Sequence, residues 1–142
     1  MPEAKVVKER PGPMRLVDAT KYRLPAAGWV SILHRVGGIL LVVFLPFLIW
    51  LFDKSVSDEI TFETFRGAFI AGIGGVPAGL VKLVTLVLIW AFLHHLCAGV
   101  RHLYQDVTHS VSREAGRQSA QAVLGVSLVL TVILGAKLFG LY

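Results

Sequence analysis

Polar and ionisable side chains stand inside or beside long apolar runs at two places in this sequence. These residues are Ser31, His34 and Arg35 at the first place, and His94, His95, Arg101, His102 and Asp106 at the second. Ionisable groups at membrane depth are costly and are usually functional. An imidazole can ligate a haem iron, and nearby arginine and histidine side chains can pair with the haem propionates.

The second group has a spacing that aligns its members on one helical face. His95, Gly99, His102 and Asp106 follow one another at intervals of four, three and four residues. A histidine with a glycine one turn away leaves room for a flat, bulky group such as a haem. The alternative is that His94 and His95 only pack between helices and hydrogen-bond to a neighbour.

The first group offers a different chemistry. Ser31 and Arg35 are four residues apart, so a hydroxyl and a guanidinium share one helical face. Together they could hold the polar carbonyl of a lipid-soluble quinone while its tail stays in apolar surroundings. The alternative is that Arg35 extends to anionic lipid head groups.

The composition indicates which elements must position these residues. Of the 142 residues, 55% are hydrophobic and only 16% are charged, whereas soluble domains have about 25% charged residues. Long charge-free runs predict three transmembrane helices at about 29–52, 80–103 and 119–141, the first of them kinked at Pro46. Residues 67–81 are glycine-rich and are predicted to be a loop that leads into the second span.

The predicted fold is therefore an all-α integral membrane protein. Residues 1–142 form a single transmembrane domain, and its helical bundle is incomplete without helices from a partner. A chain of this size that mostly crosses lipid has no room for a separate catalytic domain. It is therefore predicted to be non-catalytic alone and to share any active site with other chains.

The distribution of charge predicts orientation. The net charge is +5, but the basic residues lie in connecting segments, which argues against nucleic-acid binding and for contact with lipid head groups. One side of the predicted topology holds nine Lys and Arg residues and the other side holds four. The N-terminal segment 1–28 is thus expected to be cytoplasmic, with no cleaved targeting peptide.

In its motifs and predicted spans, the chain resembles the cytochrome b membrane-anchor subunit of succinate dehydrogenase, which is respiratory complex II. The resemblance rests on Arg10-Pro11, on the run from Ser31 to Gly38 (Ser-Ile-Leu-His-Arg-Val-Gly-Gly), and on the run from His95 to Leu103 with Asp106. It extends from about Lys8 to the third span. Many members have Ser-Pro-His shortly after the Arg-Pro pair, where this chain reads Gly12-Pro13-Met14-Arg15.

The resemblance implies a role for each matching residue. His95 is implied to be an axial ligand of haem b, because its spacing to Gly99 and His102 selects it over His94. A second small anchor subunit is implied to supply the other axial histidine and to complete the bundle. His34, Arg35 and His102 match positions near the propionates.

Further residues and partners follow from the same resemblance. Ser31 and Arg35 match positions of the ubiquinone site, and Asp106 matches an acidic position where proton delivery is possible. The implied partners are a flavoprotein subunit, an iron-sulfur subunit and the second anchor subunit, in a bacterial inner membrane. The alternatives are the anchor of a quinol:fumarate reductase, a haem-free structural anchor, and a small proton or solute transporter.

Overall fold

The computed structural model describes residues 12–13, 16–109 and 112–142. Within these ranges the chain is helical and has no strand, apart from one isolated bridge between Ile73 and Val76. The helices are α1 (Leu16–Lys21), α2 (Ala26–Val43), α3 (Leu45–Val56), α4 (Glu59–Ile70), α5 (Ala78–Thr108) and α6 (Arg113–Leu138). The predicted Arg10-Pro11 motif lies outside the described residues, as do Met14 and Arg15.

Three of these helices, α2, α5 and α6, are long and apolar enough to cross a membrane. Their lengths are 18, 31 and 26 residues, and about 20 apolar residues span a typical bilayer core. The all-α membrane fold expected from the sequence is confirmed. The second and third membrane-crossing helices differ in extent from the predicted spans. Helix α5 continues to Thr108, and α6 begins at Arg113 and ends at Leu138.

The first predicted span is divided into two helices. Phe44, with φ −91° and ψ 6°, separates α2 from α3, and Pro46 is in the first turn of α3. A proline has no N–H to donate to the preceding turn and its ring crowds the carbonyl four residues back, so the helix is interrupted just before it. The kink predicted at Pro46 therefore appears as a break two residues earlier.

The connection between the first and second spans contains a helix that the sequence analysis did not predict. In α4, the Asp58 carboxylate accepts a hydrogen bond from the Thr61 backbone N–H at 2.8 Å, and the Thr61 hydroxyl accepts one from the Asp58 N–H at 3.1 Å. This reciprocal capping box satisfies two backbone donors at the helix start. The predicted loop is confined to 71–77, where Gly74 and Gly75 both have positive φ values in a tight turn.

Close packing of α2, α5 and α6 forms the centre of the molecule. Val30, Ala98, Ala120 and Val123 make up a buried apolar cluster at one end. Further along, a Cβ atom added to Gly37 would lie 3.2 Å from the Ala91 carbonyl oxygen. Small residues at such contacts let helix backbones approach closely, and this fixes the register of α2 against α5.

Candidate functional site: a histidine cluster between α2 and α5

Three histidine rings from two helices meet at the α2–α5 contact. The rings of His34 and His95 stack with centroids 4.0 Å apart and planes 16° apart. The His102 ring meets the His34 ring edge-on, with centroids 5.4 Å apart. His95 and His102 are seven residues apart, two helical turns, so they face α2 together. The structure thus brings His34, His95 and His102 into one group, defined here as the histidine cluster.

One hydrogen bond and one glycine hold the ring of His95 in place. Its Nδ1 lies 3.0 Å from the backbone carbonyl oxygen of His34. A carbonyl can only accept, so Nδ1 donates in this hydrogen bond, and in a neutral ring Nε2 then keeps its lone pair. A Cβ atom on Gly38 would lie 3.1 Å from His95 Cε1, so a side chain there would press on the ring.

Gly99, which the sequence analysis selected, has a looser environment than Gly38. The nearest atom to a Cβ added there is His34 Nε2, at 4.0 Å. A Cβ atom at Gly99 would thus make only an ordinary van der Waals contact with His34, and the space for a flat group beside Gly99 stays a prediction of the spacing. Sequence reasoning missed the contact of Gly38, because that contact depends on the register of two helices.

The neighbouring residue His94 has a different environment. It is 1% exposed, its Nδ1 lies 3.4 Å from Ser127 Oγ, and its Nε2 lies 3.4 Å from the Val30 carbonyl oxygen. The Trp90 ring stacks on it, with centroids 5.6 Å apart. Both ring nitrogens therefore have protein partners, and His94 ties α5 to α2 and α6.

The residues predicted for quinone and proton chemistry are close in sequence to members of the histidine cluster. Ser31 is half-buried and Arg35 is exposed, and both belong to α2. Among the described residues, neither side chain has a hydrogen-bond partner. Asp106 is exposed in the last turn of α5. The side chains of Ser31, Arg35 and Asp106 are therefore available to bind a ligand or a partner subunit.

Arg101, next to His102 in sequence, faces another helix. Its Nε donates to Ser119 Oγ at 3.0 Å, and one terminal nitrogen donates to the Gly116 carbonyl oxygen at 3.4 Å. The sequence places Arg101 among the ionisable residues at the end of the second span but indicates no separate role for it. Successive side chains of a helix point about 100° apart. Arg101 therefore faces α6, although the next residue, His102, faces α2.

Three membrane-crossing helices with imidazole groups between two of them define a small, multi-pass, helical membrane protein. A profile of the succinate dehydrogenase/fumarate reductase transmembrane subunit family matches residues 10–134. The chain is 33% identical over 112 residues to the succinate dehydrogenase cytochrome b556 subunit of Paracoccus denitrificans, covering 79% of this chain and 81% of the relative.

Two other relatives bear the same name. The cytochrome b556 subunit of Coxiella burnetii is 30% identical over 119 residues, which cover 84% of this chain and 90% of the relative. That of Rickettsia felis is 28% identical over 113 residues, which cover 80% and 82% respectively. The chain belongs to the succinate dehydrogenase/fumarate reductase transmembrane subunit family. The resemblance seen in its sequence motifs is confirmed.

Proposed function

We propose that this chain is the cytochrome b anchor of a succinate:ubiquinone oxidoreductase. It binds haem b together with a second small anchor subunit and forms part of the site where ubiquinone is reduced. The names of the relatives, succinate dehydrogenase cytochrome b556 subunits, support both the enzyme and the haem. The observation that carries the proposal is the orientation of His95, whose Nδ1 is bonded to the His34 carbonyl.

The residues of the histidine cluster fit a haem. Ligating histidines usually donate their second ring N–H to a carbonyl or carboxylate, which fixes the tautomer and the ring orientation. His95 already has this bond at 3.0 Å, so its Nε2 would ligate the iron. His34, Arg35 and His102 would hold the propionates. The haem, when bound, supplies a one-electron redox centre.

Ser31 and Arg35 would form this chain's share of the ubiquinone site. The hydroxyl of Ser31 would donate a hydrogen bond to a quinone carbonyl oxygen. The guanidinium of Arg35 would stabilise the negative charge that develops on that oxygen during reduction. Asp106, exposed at the end of α5, would deliver a proton to the same region.

The partners and the location follow from the same proposal. A flavoprotein subunit and an iron-sulfur subunit would dock where the start of α2 and the end of α5 lie, on the cytoplasmic face of a bacterial inner membrane. The family description also covers fumarate reductases, so an anchor of a quinol:fumarate reductase is the second candidate. The name shared by the relatives favours succinate oxidation.

A redox difference spectrum of the intact complex tests the haem assignment. We expect His95→Leu to remove or alter the absorption bands of the reduced haem, because it removes the only nitrogen that this chain is proposed to place on the iron. His109→Asn is the matched control. His109 lies at the end of α5 with φ 52°, a conformation that asparagine tolerates, and it is not in the histidine cluster.

An unchanged spectrum in the His95→Leu complex would refute the ligand assignment. A wild-type complex that contains all its subunits but shows no haem bands would make the chain a haem-free structural anchor.

A further inference from the structure

A groove of about 450 Å³ lies between α5 and α6. Among the described residues, those that line it belong to these two helices, and none of them is proposed above to hold haem or quinone. Its apolar walls are Leu96, Cys97, Val100, Ala122, Val123 and Val126. Its polar lining is Arg101, Tyr104 and Ser119.

Arg101 gives this groove a positive charge. Its side chain is half-buried, and its guanidinium donates to Ser119 Oγ and to the Gly116 carbonyl. Within the described ranges, no carboxylate oxygen lies within 4 Å of it. A guanidinium has five N–H donors, so donors remain for an anion after these two bonds are made.

The two ends of the groove differ in polarity. Arg101 and Tyr104 line it towards the end of α5, and Leu96 lines it one to two turns nearer the middle of that helix. Residues 96 and 104 are eight helical steps apart, which is a rise of about 12 Å. The groove therefore presents a cation near one membrane boundary and an apolar trough towards the bilayer centre. An amphiphile with an anionic head and an acyl chain matches both ends.

We propose that this groove binds an anionic phospholipid, with its phosphate on Arg101 and an acyl chain along Val100 and Val123. A free phosphate would gain nothing from the apolar walls. A helix of a partner subunit would have to carry a carboxylate to membrane depth to pair with Arg101, which is costly. A lipid phosphate already lies at the boundary of the bilayer. The site is distinct from the proposed haem and quinone site.

Lipid titration of the purified intact complex tests this site. After delipidation in a mild detergent, bound phosphatidylglycerol is counted by native mass spectrometry as the lipid is added back. Arg101→Gln removes the charge and keeps a polar side chain. Ala122→Phe fills the groove from an exposed position of α6 and leaves Arg101 in place. Arg113→Gln is the matched control, because Arg113 is an exposed arginine in the first turn of α6 that does not line the groove.

We expect Arg101→Gln and Ala122→Phe each to weaken binding of one phosphatidylglycerol about tenfold, which corresponds to about 1.4 kcal/mol. Arg113→Gln should bind it like the wild type, and phosphatidylcholine should compete poorly for the site. The haem spectrum of the same samples should be unchanged, which separates this site from the proposed function.

Several outcomes would overturn the proposal. Undiminished binding in Arg101→Gln would show that the guanidinium holds no phosphate. Equal losses in Arg101→Gln and Arg113→Gln would reduce the effect to general charge attraction. Release of another subunit by Ala122→Phe, with lipid binding retained, would make the groove a protein interface.

Discussion

Arg35 is an exposed, positively charged residue that we propose to lie beside the quinone. It lies one helical turn from Ser31 on α2, it is exposed, and it follows His34 of the histidine cluster. A guanidinium beside the quinone oxygen stabilises charge that appears only as the quinone is reduced. Its effect should therefore fall on one half-reaction of the complex.

We predict that Arg35→Leu lowers quinone reduction by the intact complex by about a hundredfold or more, the range seen when one charge-stabilising donor is removed. Succinate oxidation with a soluble artificial acceptor should survive, because that reaction does not need the membrane site. Arg66→Leu is a suitable control, since Arg66 is an exposed arginine of α4 whose one ion-pair partner among the described residues is Glu63, at 2.9 Å. Equal loss of both activities in Arg35→Leu would contradict the assignment.

The two adjacent histidines of α5 show what sequence spacing can and cannot predict at this scale. Spacing alone placed His95 and His102 on one face, because that depends only on the helical period. The partners of His94 are Ser127 of α6 and the Val30 carbonyl of α2. These contacts depend on the register of three helices. For the same reason, the contact of Gly38 with His95 became visible only in the structure.

At the scale of elements, the three apolar helices were predictable because each is a long run with few charges. The break at Phe44 was only partly predictable. Pro46 predicts an interruption of the helix, but its position in the sequence does not by itself show that the break falls at Phe44. Helix α4 was missed because charged and polar residues interrupt its apolar ones, and its start signal is the short Asp58 to Thr61 box.

The cap of α4 gives a prediction of pH dependence. The hydrogen bond from the Thr61 backbone N–H holds the pKa of Asp58 below its ordinary value of 3.8. A carboxyl group whose pKa is lowered in the folded state stabilises that state above its unfolded pKa. This stabilisation is lost as the pH falls below about 3.8 and through the folded pKa. The start of α4 should therefore loosen only in acid.

Hydrogen exchange of the complex in a bilayer measures this loosening. We expect Asp58→Ala to speed amide exchange in the first turn of α4 several-fold at neutral pH, because the Thr61 N–H loses its acceptor. Asp58→Asn should behave nearly like the wild type, since an amide oxygen also accepts. Exchange that is equally slow in Asp58→Ala would show that the capping box does not hold the helix start.

At the scale of the whole molecule, the outward faces of the helices are apolar. Ile39 and Val42 of α2 are 64% and 71% exposed, and Val107 of α5 is 82% exposed. In water such surfaces would drive aggregation, whereas lipid and partner helices cover them in a membrane. The apolar composition of the sequence predicted that these helices need a membrane and partner helices around them. Periodicity does not identify the particular face that a partner covers, because apolar residues lie on most sides of these helices.

Topology is the property of the whole molecule that the charge distribution predicts. The antiparallel packing of α2, α5 and α6 places the start of α2, the end of α5 and the start of α6 at one end of the bundle, as the His34–His102 and Arg101–Ser119 contacts show. The sequence predicts nine Lys and Arg residues on that side against four on the other, so the positive-inside rule predicts that this end of the bundle is cytoplasmic. Ser57, between α3 and α4, should then face the opposite side.

Cysteine labelling in intact cells tests this orientation. In a background with Cys97→Ala, we expect Ser57→Cys to react with a membrane-impermeant maleimide that has crossed the outer membrane. Thr108→Cys, in the last turn of α5, should react only after the inner membrane is opened or inverted. The opposite pattern would place the histidine cluster at the outer boundary. A flavoprotein that oxidises succinate in the cytoplasm could then not dock beside Ser31 and Arg35, and the proposed quinone site would lose its source of electrons.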